Sequence, residues 1–322
     1  MKTTHLMVFF LFLLTGLIAA AKEVDNLTDR YRPLQDSTEI FDREMNRRLQ
    51  ELQKETASEG IVCGDARKLR ILFHDLNDSR FFIGSLESWA EDNQKVAKRT
   101  LDAQNSIYEG VLENGWIFNR LKLASTVKVN GQLIGTDKFG HFIDQGFEFY
   151  TPYRRSGYQM ATALSSSLGS EKSYSGGDST GTISYADSMA NYQGVLFYHA
   201  LAEGPNPYFR CANGKWTQVR EFRWADYVDA GWDEGINCNE LASPEAQRGF
   251  QKNISKLEAQ AQKSKKSETY TCPVSQEACS QLRERYLSVE KYVLSPECRK
   301  VARAGRSGSS PQQKAGSGKG VR

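Results

Sequence analysis

The chain has few of the features that mark unusual classes of protein. Only 8 of its 322 residues are proline and 26 are glycine, which excludes collagen-like and low-complexity chains. After Ile18 no apolar run approaches the 20 or so residues that cross a bilayer, so a multi-span membrane protein is excluded. No Cys-x-x-Cys occurs, which disfavours a zinc ribbon or a thioredoxin-like redox site. There is no Gly-x-Ser-x-Gly elbow, no His-Glu-x-x-His helix and no phosphate-binding glycine loop. Nor does one sign of charge dominate: 42 Lys+Arg meet 39 Asp+Glu, and a total so near zero gives no reason to expect nucleic acid.

What is present begins with an export signal. Lys2 is followed by the uncharged apolar stretch Leu6–Ile18 and by Ala19-Ala20-Ala21, the n-region, h-region and small-residue cleavage pattern of a signal peptide over 1–21. No cysteine stands at the cleavage point for lipid attachment. The expected location is therefore periplasmic, outer-envelope or extracellular. Cys63, Cys211, Cys238, Cys272, Cys279 and Cys298 form an even set, and in an exported chain that favours disulfides. Proximity in sequence favours Cys211–Cys238 and one bridge within the last three. Asn26, Asn77 and Asn253 open sequons that matter only in a glycosylating host.

Hydrophobic periodicity predicts a mainly α fold: a bundle-like domain over 22–250 with two short β-hairpins. A Lys-rich linker and Cys-bearing helical extension follow over 251–303, then a disordered basic tail over 304–322. Phe41, Met45, Leu49 and Leu52 stripe a helix over 36–54. Leu69, Leu72, Phe73 and Leu76 stripe another over 66–76. A third is expected over 86–112, broken near Asn93. Asn130-Gly131 and Asn213-Gly214 signal type I′ hairpin turns. Further helices are expected over 137–150, stopped by Thr151-Pro152, over 156–168, and over 184–202 with Ser184 as its cap. A Ser/Gly-rich loop over 169–182 joins the last two. The stretch 222–241 is aromatic and acidic; its tryptophans and tyrosines are expected in the core and its acids on a solvated face.

The densest chemistry lies in Gly135-Thr136-Asp137-Lys138-Phe139-Gly140-His141-Phe142. On a helix Asp137 and His141 share a face. Glu148, two turns beyond His141, is expected on the same strip, with Asp144 beside it. Asp187 and Asn191 repeat the four-residue spacing on the later helix, with Gln193 and Tyr198 nearby. Two facing helices would bring Asp137, His141, Asp187 and Asn191 together, with the Ser/Gly loop as a lid. Such a set can hold a divalent metal or act as base and orienter. It can equally be a hydrogen-bonded structural cluster. His74 and His199 read as structural histidines, and Asp226, Asp229 and Asp233 do not have the spacing of a calcium loop.

Asp137-Lys138-x-x-His141-Phe142 resembles the Asp-Lys-x-x-His-Phe signature of small YfiM-like bacterial cell-envelope lipoproteins, and is similar to that of VanZ-like membrane proteins. The resemblance spans about eight residues and implies an envelope location and a helix-borne motif. This chain departs from both groups: it lacks a lipoprotein cysteine, lacks the membrane spans, and is several-fold longer than the motif-bearing unit. Two functions follow as expectations. One is an exported envelope protein in which the strip is structural or binds a ligand. The alternative is a hydrolase of an envelope polymer or lipid. There His141 is base or metal ligand and Asp137 its orienter. Asp187 and Glu148 are further ligands or acid/base groups, Asn191 lines the site, and Lys138 holds an anion. A third idea arises from charge asymmetry. Residues 252–322 hold 15 basic and 6 acidic residues, whereas 22–251 hold 26 and 33; a basic extension of this kind suits an anionic envelope partner.

Overall fold

A computed structural model describes residues 23–77, 85–111, 123–173, 177 and 181–303. The expected signal segment, the basic tail and six residues of the Ser/Gly loop (174–176 and 178–180) lie outside the described residues. The fold is mainly α. Helix α1 (Thr38–Ser58) buries the expected stripe of Phe41, Met45, Leu49 and Leu52, and α2 (Ala66–Asn77) packs beside it. Helix α3 covers only Leu86–Asp92. The longer helix expected there does not form: beyond Asn93 the chain turns into β1 (Lys98–Arg99) and a 3-10 turn. Its apolar residues divide between two cores, Val96 in the main one and Ile107, Tyr108 and Val111 in a smaller one.

Strands β2 (Thr126–Val129) and β3 (Gln132–Gly135) form the first hairpin, with Val127 opposite Ile134. Asn130 and Gly131 both have positive φ, as a type I′ turn requires. β1 pairs antiparallel with β2. The second hairpin is β5 (Phe209–Ala212) with β6 (Lys215–Gln218), and β4 (Thr182–Ile183) pairs with β7 (Glu240–Leu241).

The motif-bearing helix starts where β3 ends. Helix α4 (Asp137–Gly140) runs into a π turn over His141–Gln145 and then into α5 (Gly146–Arg155). Pro152 lies inside α5 rather than stopping it. A proline this near the helix end forfeits one backbone hydrogen bond without breaking a long run. Helix α6 (Met160–Lys172) extends four residues beyond its expected end. Helix α7 (Tyr185–Ala200) begins as predicted, with Ser184 Oγ accepting the Asp187 amide at 3.2 Å. α5 and α7 cross at Gly146 and Gly194: a Cβ on Gly146 would lie 2.7 Å from Gly194 Cα. Only glycine permits this approach.

Helix α8 (Pro244–Lys263) runs across the boundary expected at residue 250. It is followed by α9 (Gln276–Arg285), α10 (Glu290–Val293) and α11 (Pro296–Lys300). Cys279, Leu282, Val293 and Cys298 from this last segment belong to the same core as Phe142 and Trp224. Every cysteine is paired: Cys63–Cys211, Cys238–Cys272 and Cys279–Cys298. The bridge within the last three is as expected, whereas Cys211–Cys238 is corrected: folding brings Cys211 on β5 to Cys63 before α2 instead. Asn26, Asn77 and Asn253 are buried, so these sequon side chains are not presented for glycosylation. Among the described residues no helix is long and apolar enough to cross a membrane.

Candidate functional site

Two helices and one loop build the buried polar centre. The α4 start supplies Asp137 and Lys138, the π turn supplies His141, α7 supplies Asp187 and Asn191, and the loop after Trp232 supplies Glu234. Nucleation is local: Asp137 occupies the first turn of α4 and Asp187 the first turn of α7, where the helix dipoles favour negative charge. Both helices then direct these acids inward, so the expected convergence is met. Donor atoms of Asp137, His141 and Asp187 lie within 4.8 Å of one another.

The middle of the cluster is a cation of the chain itself. Lys138 is 0% exposed. Its Nζ donates to Asp137 Oδ2 at 2.8 Å and to Glu234 Oε1 at 2.6 Å, and pairs with Asp187 Oδ1 at 2.5 Å. Ser184 Oγ donates to Glu234 Oε1 at 3.1 Å and Asn239 Nδ2 to Glu234 Oε2 at 2.7 Å. Burial opposes a charged ammonium, but Asp137, Asp187 and Glu234 together lift the Lys138 pKa well above its ordinary value. The ammonium therefore stays charged.

His141 is the second cation. Its Nε2 lies 3.1 Å from Asp187 Oδ2 and its Nδ1 3.2 Å from Asn191 Oδ1. Asn191 Nδ2 donates to Gln145 Oε1 at 2.9 Å and Ser167 Oγ at 3.0 Å. With the amide so oriented, both ring nitrogens face acceptors, and an imidazole that donates from both is protonated. Burial pulls the other way, yet Asp187 raises the His141 pKa to about 10. Burial would raise Asp187, but His141 and Lys138 outweigh it and hold that carboxyl well below the usual range.

The remaining carboxyls are pushed towards neutrality. Burial lifts Asp137 to about 6 and Glu234 to about 7, in both cases against Lys138. Burial, with Asp187 adding to it, lifts Glu171 to about 8. Glu171 is on the last turn of α6, and its Oε1 lies 4.0 Å from His141 Nδ1. Near pH 7 two cations thus face a fully charged Asp187, a largely ionised Asp137, a partly protonated Glu234 and a largely protonated Glu171. The cluster is close to self-neutral.

Several expectations change. Glu148 is exposed and lies outside the cluster. The π turn takes up one extra residue, which rotates everything after it by about 100° of a 3.6-residue turn; Gln145 faces Asn191 instead. Lys138 was expected to hold an external anion and is enclosed by its own carboxylates. Asp144 turns towards His74, at 3.8 Å. Gln193 donates to Tyr286 rather than to the cluster, and Tyr198 packs in the aromatic core. The tryptophans of 222–241 are in the core as expected. Three of its acids are not on a solvated face: Asp229 accepts from Tyr286 and pairs with Arg285 at 3.0 Å, Asp233 takes Arg30 at 2.7 Å and Glu234 takes Lys138.

Glu234 and Glu171 are the site residues that sequence reasoning missed. Neither lies in a helical spacing with Asp137 or Asp187. Glu234 also borders a cavity of about 460 Å³. No family model, no curated protein and no solved structure matches the chain.

Proposed function

We propose that this chain is an exported cell-envelope protein in which the Asp137/His141 strip does no chemistry. The strip is an ionic lock joining α4, α7 and the loop that carries Glu234. One observation carries this reading: the Lys138 ammonium sits within 2.8 Å of three carboxylates in a fully buried position. A catalytic base must reach a substrate proton, and neither His141 nor Asp187 faces solvent. Three disulfides accord with an exported chain, and the Asp-Lys-x-x-His-Phe likeness accords with an envelope location. On this reading the basic extension docks an anionic envelope component, and deleting 304–322 lowers salt-sensitive envelope association.

A second reading is a metal-dependent or His/Asp-based hydrolase of an envelope polymer or lipid. The mutual proximity of the Asp137, His141 and Asp187 donor atoms favours it. A nitrogen and two carboxylates suit zinc or manganese. Metal binding would require His141 to lose a proton and Lys138 to yield its place. Titrating zinc and manganese into wild type and His141→Ala, with melting curves for both, separates the readings. The ionic lock predicts no metal-dependent rise in Tm and a large drop in Tm for His141→Ala. Saturable metal binding that His141→Ala abolishes would establish the metal site instead.

A further inference from the structure

A cleft of about 600 Å³ lies on the far side of α7 from the ionic lock. Tyr192, Leu196 and His199 recur at three- and four-residue steps and form one wall, half-buried, while Met189, Ala190 and Phe197 turn into the core. The opposite wall brings Arg220, Arg223 and Tyr227 together with Arg285 from the C-terminal segment.

The ion pairs of this cleft leave one cation over. Arg223 pairs with Asp226 at 2.8 Å, Arg285 with Asp229 at 3.0 Å, and the lining acid Glu203 with Arg70 at 3.1 Å. Arg220 pairs with no carboxylate of the described residues. Its guanidinium carbon lies over the Tyr208 ring, 3.8 Å from the centroid, and its buried Nε makes no hydrogen bond. His199 does not compensate or add charge: burial lowers its pKa, so the ring is neutral near pH 7. The cation–π contact with Tyr208 holds Arg220 at the cleft, and a guanidinium fork matches two oxygens of a carboxylate or phosphate.

The rest of the lining is suited to a hydroxylated ring. Tyr192 and Leu196 offer flat and apolar surface. The Tyr192 hydroxyl and the Asn206 amide make no hydrogen bond with the described residues, so both can serve ligand hydroxyls.

We propose that this cleft binds a small sugar bearing an oxyanion, with Arg220 gripping the oxyanion and Tyr192 and Asn206 taking ring hydroxyls. The inference is independent of the ionic lock, because none of its residues belongs to that cluster. Calorimetric titration of the full chain with glucose 1-phosphate, glucuronate, glucose and inorganic phosphate tests it. The two anionic sugars separate phosphate from carboxylate as the favoured group. Saturable binding of at least one of them is expected, weakened about tenfold or more in Arg220→Gln. Asn206→Ala, at an exposed rim position, should weaken the anionic sugar several-fold, leave inorganic phosphate unchanged, and fold normally. No saturable binding of either anionic sugar overturns the proposal, as does undiminished binding in Arg220→Gln. Glucose binding as tightly as its phosphate removes the role of Arg220. Inorganic phosphate binding as tightly as the sugar phosphate removes the sugar.

Discussion

Replacing Lys138 with methionine tests the ionic lock most directly. Methionine roughly conserves the volume of the lysine stem, so packing loss is small. What disappears is the charge that lies within 2.8 Å of Asp137, Asp187 and Glu234. Removing one partner of a buried ion pair costs about 3–5 kcal/mol, because the other charge is left unpaired. At 2–4 °C per kcal/mol for a chain of this size, the Tm should fall by roughly 6–20 °C near pH 8. The loss should shrink in acid. Asp137 and Glu234 already titrate at about 6 and about 7 with the lysine present, and without it burial pushes both higher. At pH 5 both are then protonated in the folded variant and no bare charge remains at either. Melting curves at pH 5 and pH 8 for both proteins measure the difference. An equal deficit at the two pH values, or a deficit below about 1 kcal/mol at pH 8, would show that Lys138 does not neutralise the cluster.

Other predictions follow from the same contacts. Because the His141 pKa rises on folding from 6.5 to about 10, its stabilisation is complete below pH 6.5 and is lost as pH rises towards 10. Chemical denaturation of wild type should show that decline, and the step should be missing in His141→Ala. Asp187 has the opposite sign: its stabilisation is full above its ordinary pKa of 3.8 and fades below it, so Asp187→Asn should flatten the acid limb of the same curve. Gly194→Ala places a Cβ 2.8 Å from Gly146 Cα; overpacking of this kind costs about 1–3 kcal/mol, read as a lower denaturation midpoint. The Cys238–Cys272 bridge closes a span of 34 residues, so replacing both cysteines with serine should destabilise by about 3–4 kcal/mol without changing helix content in far-ultraviolet dichroism.

Local chemistry explains which parts of the fold were legible in the sequence. The α1 stripe, both Asn-Gly turns and the Ser184 cap are each decided within a few residues. Tertiary structure decided the rest. Val96 and Ile107 could belong to one helix by spacing alone, but they serve different cores. Cys63 meets Cys211 across 148 residues, a pairing no spacing argument reaches. Pro152 reads as a stop because the local rule assigns its lost hydrogen bond to the helix alone, while Phe149 and Tyr150, buried in the core, hold α5 in place.

The site divides in the same way, and the division bears on its role. Asp137, His141, Asp187 and Asn191 were legible because a four-residue step on each of two helices predicts a shared face. Glu148 failed because one π turn breaks that step. Glu234 was invisible because its role depends on Lys138, and nothing beside Lys138 in the sequence reveals that it points inward; Glu171 was invisible because it approaches His141 from a different helix, α6. With Lys138 inward, the four acids of the cluster have different roles. Asp187 carries full negative charge between Lys138 and His141. Asp137 and Glu234 share the ammonium as partial charges, and Glu171 stays neutral beside the imidazolium. A catalytic pair would separate acid from base across an accessible gap. Here the charges share one contiguous cluster with no accessible gap between them, the pattern expected where an ionic cluster fixes how two helices and a loop meet.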